Sequence, residues 1–112
     1  MSTAIDNESQ LIHDIMQTLG KYAAVYRTNA GSIRLSNGKR FRGMPKGFSD
    51  ILCVLPGGRA AFIECKVGDN KLSPEQERFL EHMQALGCMS GVAYTVADAL
   101  RICGLETLIC GD

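Results

Sequence analysis

Near the start of the chain, apolar residues recur at three- and four-residue intervals. Leu11, Ile12, Ile15, Met16 and Leu19 form a stripe that Gly20 ends. That spacing predicts an amphipathic helix over residues 6–19, with Glu8 beside the stripe near the helix start. Residues 22–28 are rich in β-formers, Asn29-Ala30-Gly31 is a turn signal, and 32–35 read as a returning strand, so a hairpin is expected. The stretch 36–46 is polar, basic and glycine-containing, and reads as a mobile surface loop. Strands are predicted at 50–55 and 59–67, joined by Pro56-Gly57-Gly58.

A three-residue loop there sets Leu55 against Arg59, and the register runs back to Asp50 opposite Glu64. Opposed side chains share a face with Cβ atoms ~5 Å apart, and a slip of one residue would separate the two acids. After a loop at 68–72, Ser73-Pro74-Glu75-Gln76 supplies an N-cap, a proline at the first helical position and a capping-box glutamine. The helix is expected to run to Leu86, with Phe79, Leu80, Met83 and Leu86 inward and Gly87 as C-cap. A strand at 91–95 and a helix at 96–103 follow. Strand, helix and strand from 59 to 95 require a right-handed crossover and a parallel pair. The pattern is that of an α/β protein, a mixed sheet flanked by helices in the order α-β-β-β-α-β-α.

The chain has 112 residues, 46% of them hydrophobic, and neither an internal repeat nor a linker. Residues 1–112 therefore read as one domain, small enough that a second copy would usefully cover apolar surface. No stretch approaches the ~20 apolar residues of a membrane span, and no leader pattern opens the chain. The five cysteines, at 53, 65, 88, 103 and 110, form no C-x-x-C pair. They read as reduced thiols of a cytoplasmic protein rather than a zinc site, with His13 and His82 isolated on helices.

Net charge is zero, yet residues 15–49 hold seven bases and no acid, so the rest of the chain carries minus seven. Arg34, Lys39, Arg40, Arg42 and Lys46 lie close together within this basic segment. They either grip a polyanion or form a solvated basic loop; charge alone leaves both open.

Candidate chemistry centres on Glu64-Cys65-Lys66. Side chains on a strand alternate, so Glu64 and Lys66 share one face while Ile63, Cys65 and Val67 share the other. Asp50 and Glu64 would offer hard oxygen ligands to Mg²⁺ or Mn²⁺, with the backbone carbonyl of Cys65 as a further donor. Lys66 would stabilise the charge that develops on a phosphate. The acid-x-Lys triplet is weak by itself, since Asp69-Asn70-Lys71 repeats it in a loop. A plain surface ion pair is the competing reading. Tyr94, at a strand end, reads as a core aromatic.

Three segments in this order, Gly47-Phe48-Ser49-Asp50, Phe62-Ile63-Glu64-Cys65-Lys66 and Lys71-Leu72-Ser73-Pro74-Glu75-Gln76-Glu77-Arg78-Phe79-Leu80, resemble the VRR-NUC branch of the PD-(D/E)xK nucleases. Gly38-Lys39-Arg40-Phe41-Arg42-Gly43 extends the likeness. Ser49 stands where that family often has proline, a position that is not a ligand. The resemblance implies a restriction-endonuclease-like core, dependence on Mg²⁺ or Mn²⁺ and action on DNA. It further implies that Glu8 can join the metal shell and that Gln76 orients water or substrate near Lys66. The helix dipole and the capping box explain the same two residues without catalysis.

On this resemblance the expected activity is endonucleolytic, structure-selective cleavage of branched DNA, with four-way Holliday junctions as substrate and a homodimer supplying two sites. A monomeric flap or single-strand nuclease and a non-catalytic nucleic-acid-binding module are the alternatives. The expected setting is the cytoplasm of a bacterial cell, in a protein of phage or prophage type.

Overall fold

A computed structural model describes residues 7–28 and 32–109. The first apolar stripe forms helix α1, Glu8–Leu19, whose N-cap Asn7 accepts hydrogen bonds from the amides of Ser9 and Gln10. Such a cap is worth about 1 kcal/mol. Leu11, Ile12, Ile15 and Leu19 are buried, so the periodicity describes a real core face. Strands β1 (Ala24–Arg27), β4 (Ile51–Leu55), β5 (Arg59–Cys65) and β6 (Met89–Ala93) form one sheet in the order β1-β4-β5-β6. β1/β4 and β4/β5 are antiparallel, whereas β5/β6 is parallel. Helix α2, Pro74–Ala85, makes the crossover, and α3, Val96–Ile102, follows β6.

The predicted hairpin between 22–28 and 32–35 does not form. β1 instead lies along β4, with Arg27 against Ile51, while Ser32–Arg34 (β2) pairs with Arg40–Arg42 (β3) in a separate ribbon. Val25 has an apolar side chain to lay against the core, which an edge position beside β4 allows. The alternating Arg40-Phe41-Arg42 suits a solvated two-stranded ribbon, turned at Asn37-Gly38, where the Asn37 side chain accepts from the Lys39 amide. The stretch 36–46 is thus only partly loop. With this ribbon set aside as an insertion, the remaining elements run α-β-β-β-α-β-α as expected. The Asn29-Ala30-Gly31 turn, Cys110 and the expected helix start at residue 6 lie outside the described residues.

β5 is the axis of the molecule, with Ala61 to Cys65 all buried. Ile63 and Cys65 join the core beneath α1 and α3, together with Ile51, Cys53, Ala93, Leu100 and Cys103. The other face is covered by α2, where Phe48, Phe62 and Phe79 pack with ring centroids 4.4 to 5.9 Å apart. Edge-to-face and tilted geometries of this kind add to the area they bury. Leu86, expected inward, is 65% exposed because the helix ends at Ala85 and Leu86 occupies its cap. Cys53, Cys65 and Cys103 are buried free thiols and Cys88 is half-buried, as the sequence suggested. No helix among the described residues is long and apolar enough to cross a membrane.

Candidate active site

The loop before β4 is built to deliver Asp50. Gly47 has φ +92, and a Cβ there would sit 2.7 Å from the Glu75 carbonyl oxygen, so only glycine lets the loop lie against the first turn of α2. Phe48 then enters the aromatic cluster. Ser49 is fully buried, its hydroxyl donating to the Ile51 carbonyl. Its own carbonyl accepts from the Thr28 hydroxyl, and the Thr28 amide donates to the Asp50 carbonyl at 2.9 Å. Asp50 emerges fixed on both sides.

The register is the expected one: Leu55 opposes Arg59 and Ile51 opposes Ile63, which carried one step further sets Asp50 opposite Glu64. Asp50 Oδ2 accepts the Cys65 amide at 2.8 Å. Glu64, 2% exposed, receives Gln76 Nε2 on Oε2 at 2.9 Å, and Lys66 Nζ stands 3.7 Å from the same oxygen. Glu64 Oε1 is buried with no hydrogen-bond partner among the described residues. Burial first, then the Asp50 charge, pushes the Glu64 carboxyl up to about 8, against the opposing pull of Lys66. A carboxylate placed this way calls for a proton or a cation.

Glu8, the first residue of α1, comes within electrostatic range of this group. Its carboxyl is raised by burial and by Asp50, and lowered by Lys66 and Arg27. No three His, Cys, Asp or Glu side chains among the described residues gather tightly enough to make a complete metal cage. The acidic pair nevertheless fits a hard cation: Glu64 carries a buried oxygen without a partner and a carboxyl raised by burial and by the Asp50 charge, the mark of a ligand whose charge is uncompensated.

Gln76 both caps its helix and touches the acidic pair. Its Oε1 accepts the Ser73 amide at 2.9 Å, completing the capping box, while its Nε2 reaches Glu64 rather than Lys66. The basic residues divide. Arg34 stands opposite Arg40 on the β2–β3 ribbon, and Arg42 continues the same face. Lys39 lies in the ribbon's turn, and Lys46 pairs with Glu75 at 3.9 Å near the acidic site.

Sequence reasoning overlooked three supports. Gly47 and Ser49 hold the Asp50 loop, signalled only by their place before the aspartate. Tyr94 is 41% exposed, not core, and its hydroxyl donates to the Asn70 carbonyl at 3.1 Å, tying down the loop after Lys66. Asp69, Asn70 and Lys71 are exposed on that loop, far from a buried strand environment.

No curated protein matches this chain. A solved structure described as a VRR-NUC domain superposes with a TM-score of 0.61 at 21% identity, covering 92% of this chain and 97% of the other, a likeness of fold. The family model for the VRR-NUC domain matches residues 6–97. With the sheet order, the acidic pair and its lysine in place, the chain belongs to the VRR-NUC domain family, a family of nuclease type.

Proposed function

We propose that this protein is a divalent-metal-dependent endonuclease that hydrolyses phosphodiester bonds in branched DNA, with the four-way junction as its substrate. The observation that carries the reading is the buried, donorless Glu64 Oε1 beside Asp50, with an ammonium group 3.7 Å from the neighbouring oxygen. Asp50, Glu64 and the Cys65 carbonyl, with Glu8 at the margin, would hold Mg²⁺ or Mn²⁺. Such an ion lowers the pKa of a bound water and neutralises phosphate charge.

The chain's own groups do the rest. Asp50 is oriented by the Cys65 amide and Glu64 by Gln76, so both carboxylates are held before substrate arrives. Lys66, largely buried, offers its positive charge to the extra negative charge of the five-coordinate phosphorus as water adds and the ester oxygen departs. Arg34, Lys39, Arg40, Arg42 and Lys46 bind phosphates and recognise shape rather than base sequence. A homodimer would present two such sites for paired cuts across a junction.

Glu64→Gln and Lys66→Ala should each abolish cleavage of a four-way junction in Mg²⁺ or Mn²⁺ while leaving binding nearly intact. Undiminished cleavage by either variant removes the site. Comparing the junction with a flap, linear duplex and single strand tests the substrate, and a solution mass near twice 12.2 kDa tests the dimer.

A further inference from the structure

A cavity of about 340 Å³ is lined by Arg27, Thr28, Phe41, Arg42, Gly43 and Met44. Its chemistry is mixed in an unusual way. Phe41 is 47% and Met44 39% exposed, and both share the lining with Arg27 and Arg42. Among the described residues, Arg42 has no carboxylate partner. Exposed aromatic surface next to an unpaired guanidinium suits a ligand with a flat apolar face and an anionic edge. The volume is that of a small-molecule site, too small for a double helix.

One wall of the cavity is hydrogen-bonded to the loop that carries Asp50. Thr28, one of its walls, donates through its amide to the Asp50 carbonyl and through its hydroxyl to the Ser49 carbonyl. Arg27 pairs in register with Ile51, the residue after Asp50, and its charge reaches Glu8.

We propose that this cavity seats one unpaired nucleotide of the DNA strand, with its base against Phe41 and Met44 and its phosphate between Arg27 and Arg42. The inference rests on the nuclease reading, which brings a strand to Asp50 and Glu64, and it adds the device by which branched DNA is chosen. A base inside a duplex has both faces stacked on its neighbours. A base at the exchange point of a four-way junction has already lost part of its stacking, so turning it out of its pair costs less than inside a duplex. At a gap or bulge it costs less still.

The test measures binding of the full chain to a duplex with one bulged base, the same duplex with an abasic site at the bulge, and the fully paired duplex. Metal is withheld so that no cleavage occurs. The wild-type protein should bind the bulged duplex about tenfold more tightly than either of the others, from one base stacked on an aromatic ring. Phe41→Leu should erase that preference and Phe41→Trp should keep it. Bulged, abasic and paired duplexes bound equally by the wild type would overturn the proposal without any variant having to fold. A preference that survives Phe41→Leu would overturn the assignment to this cavity.

A parallel cleavage assay separates the two readings. A Phe41-dependent preference without any metal-dependent cleavage supports the cavity and refutes the nuclease. Cleavage with no preference for unpaired bases does the reverse.

Discussion

Gln76 and Glu64 are joined by a 2.9 Å hydrogen bond that makes the start of α2 part of the acidic site. The same amide caps the helix through the Ser73 backbone, so one side chain serves stability and orientation together. Gln76→Ala should cost about 1 kcal/mol of stability and lower cleavage by roughly tenfold to a hundredfold. Gln76→Glu preserves an acceptor for the cap but loses the donor to Glu64. It should therefore retain most of the stability and lose the activity, read by thermal unfolding beside a junction-cleavage assay.

Glu64 makes stability depend on pH in an unusual direction. Its carboxyl rises from an ordinary 4.5 to about 8, so between those values the folded chain holds a proton that the unfolded chain has released. Stability from this group is therefore full below pH 4.5 and is lost as pH rises toward 8. Without divalent cation, the melting temperature should fall across that window, and Glu64→Gln should flatten the fall. Mn²⁺ should raise the melting temperature most at the alkaline end. A wild-type profile identical to that of Glu64→Gln would show that burial leaves this carboxyl unstrained.

Gly47 and Gly57 separate two costs of a side chain. Both have positive φ, but a Cβ at Gly57 meets nothing within 4 Å, whereas at Gly47 it meets the Glu75 backbone. Gly57→Ala should cost about 1 kcal/mol, the conformational penalty alone. Gly47→Ala should cost at least about 2 kcal/mol and also displace Asp50. Urea denaturation of the two variants measures the difference; equal midpoints would mean that the loop slides off α2 freely.

Arg40 and Arg42 lie on one ribbon face opposite β2. Replacing both with Ala should weaken DNA binding and reduce the slope of log affinity against log salt by about two. Binding titrations across a salt series check this, and an unaltered slope would assign the phosphate contacts elsewhere.

The central hairpin, its register and the capped α2 were legible because each is set by neighbours in sequence. Pro56-Gly57-Gly58 fixes the loop length, alternation fixes the faces, and Ser73 to Gln76 contain their own cap. The partner of β1 was not legible. Residues 22–28 have several compatible strands, and the choice of β4 over 32–35 depends on Val25 finding the core, a long-range matter that no local pattern encodes. The β3 strand was hidden because its charge resembles that of a loop, although Asn37-Gly38 is a hairpin signal. At the candidate site, Asp50, Glu64 and Lys66 were legible from strand spacing together with the family resemblance. The contact of Gly47 with Glu75 could not, since it joins segments 28 residues apart.

Phe48, Phe62 and Phe79 come from the Asp50 loop, the Glu64 strand and the Gln76 helix, one ring from each. Opening any of these segments must therefore dismantle the same wedge, so the backbone amides around all three should exchange with solvent deuterium at a common rate. The candidate catalytic groups belong to a single cooperative unit of the fold, and partial unfolding would switch the centre off whole rather than loosen it by degrees.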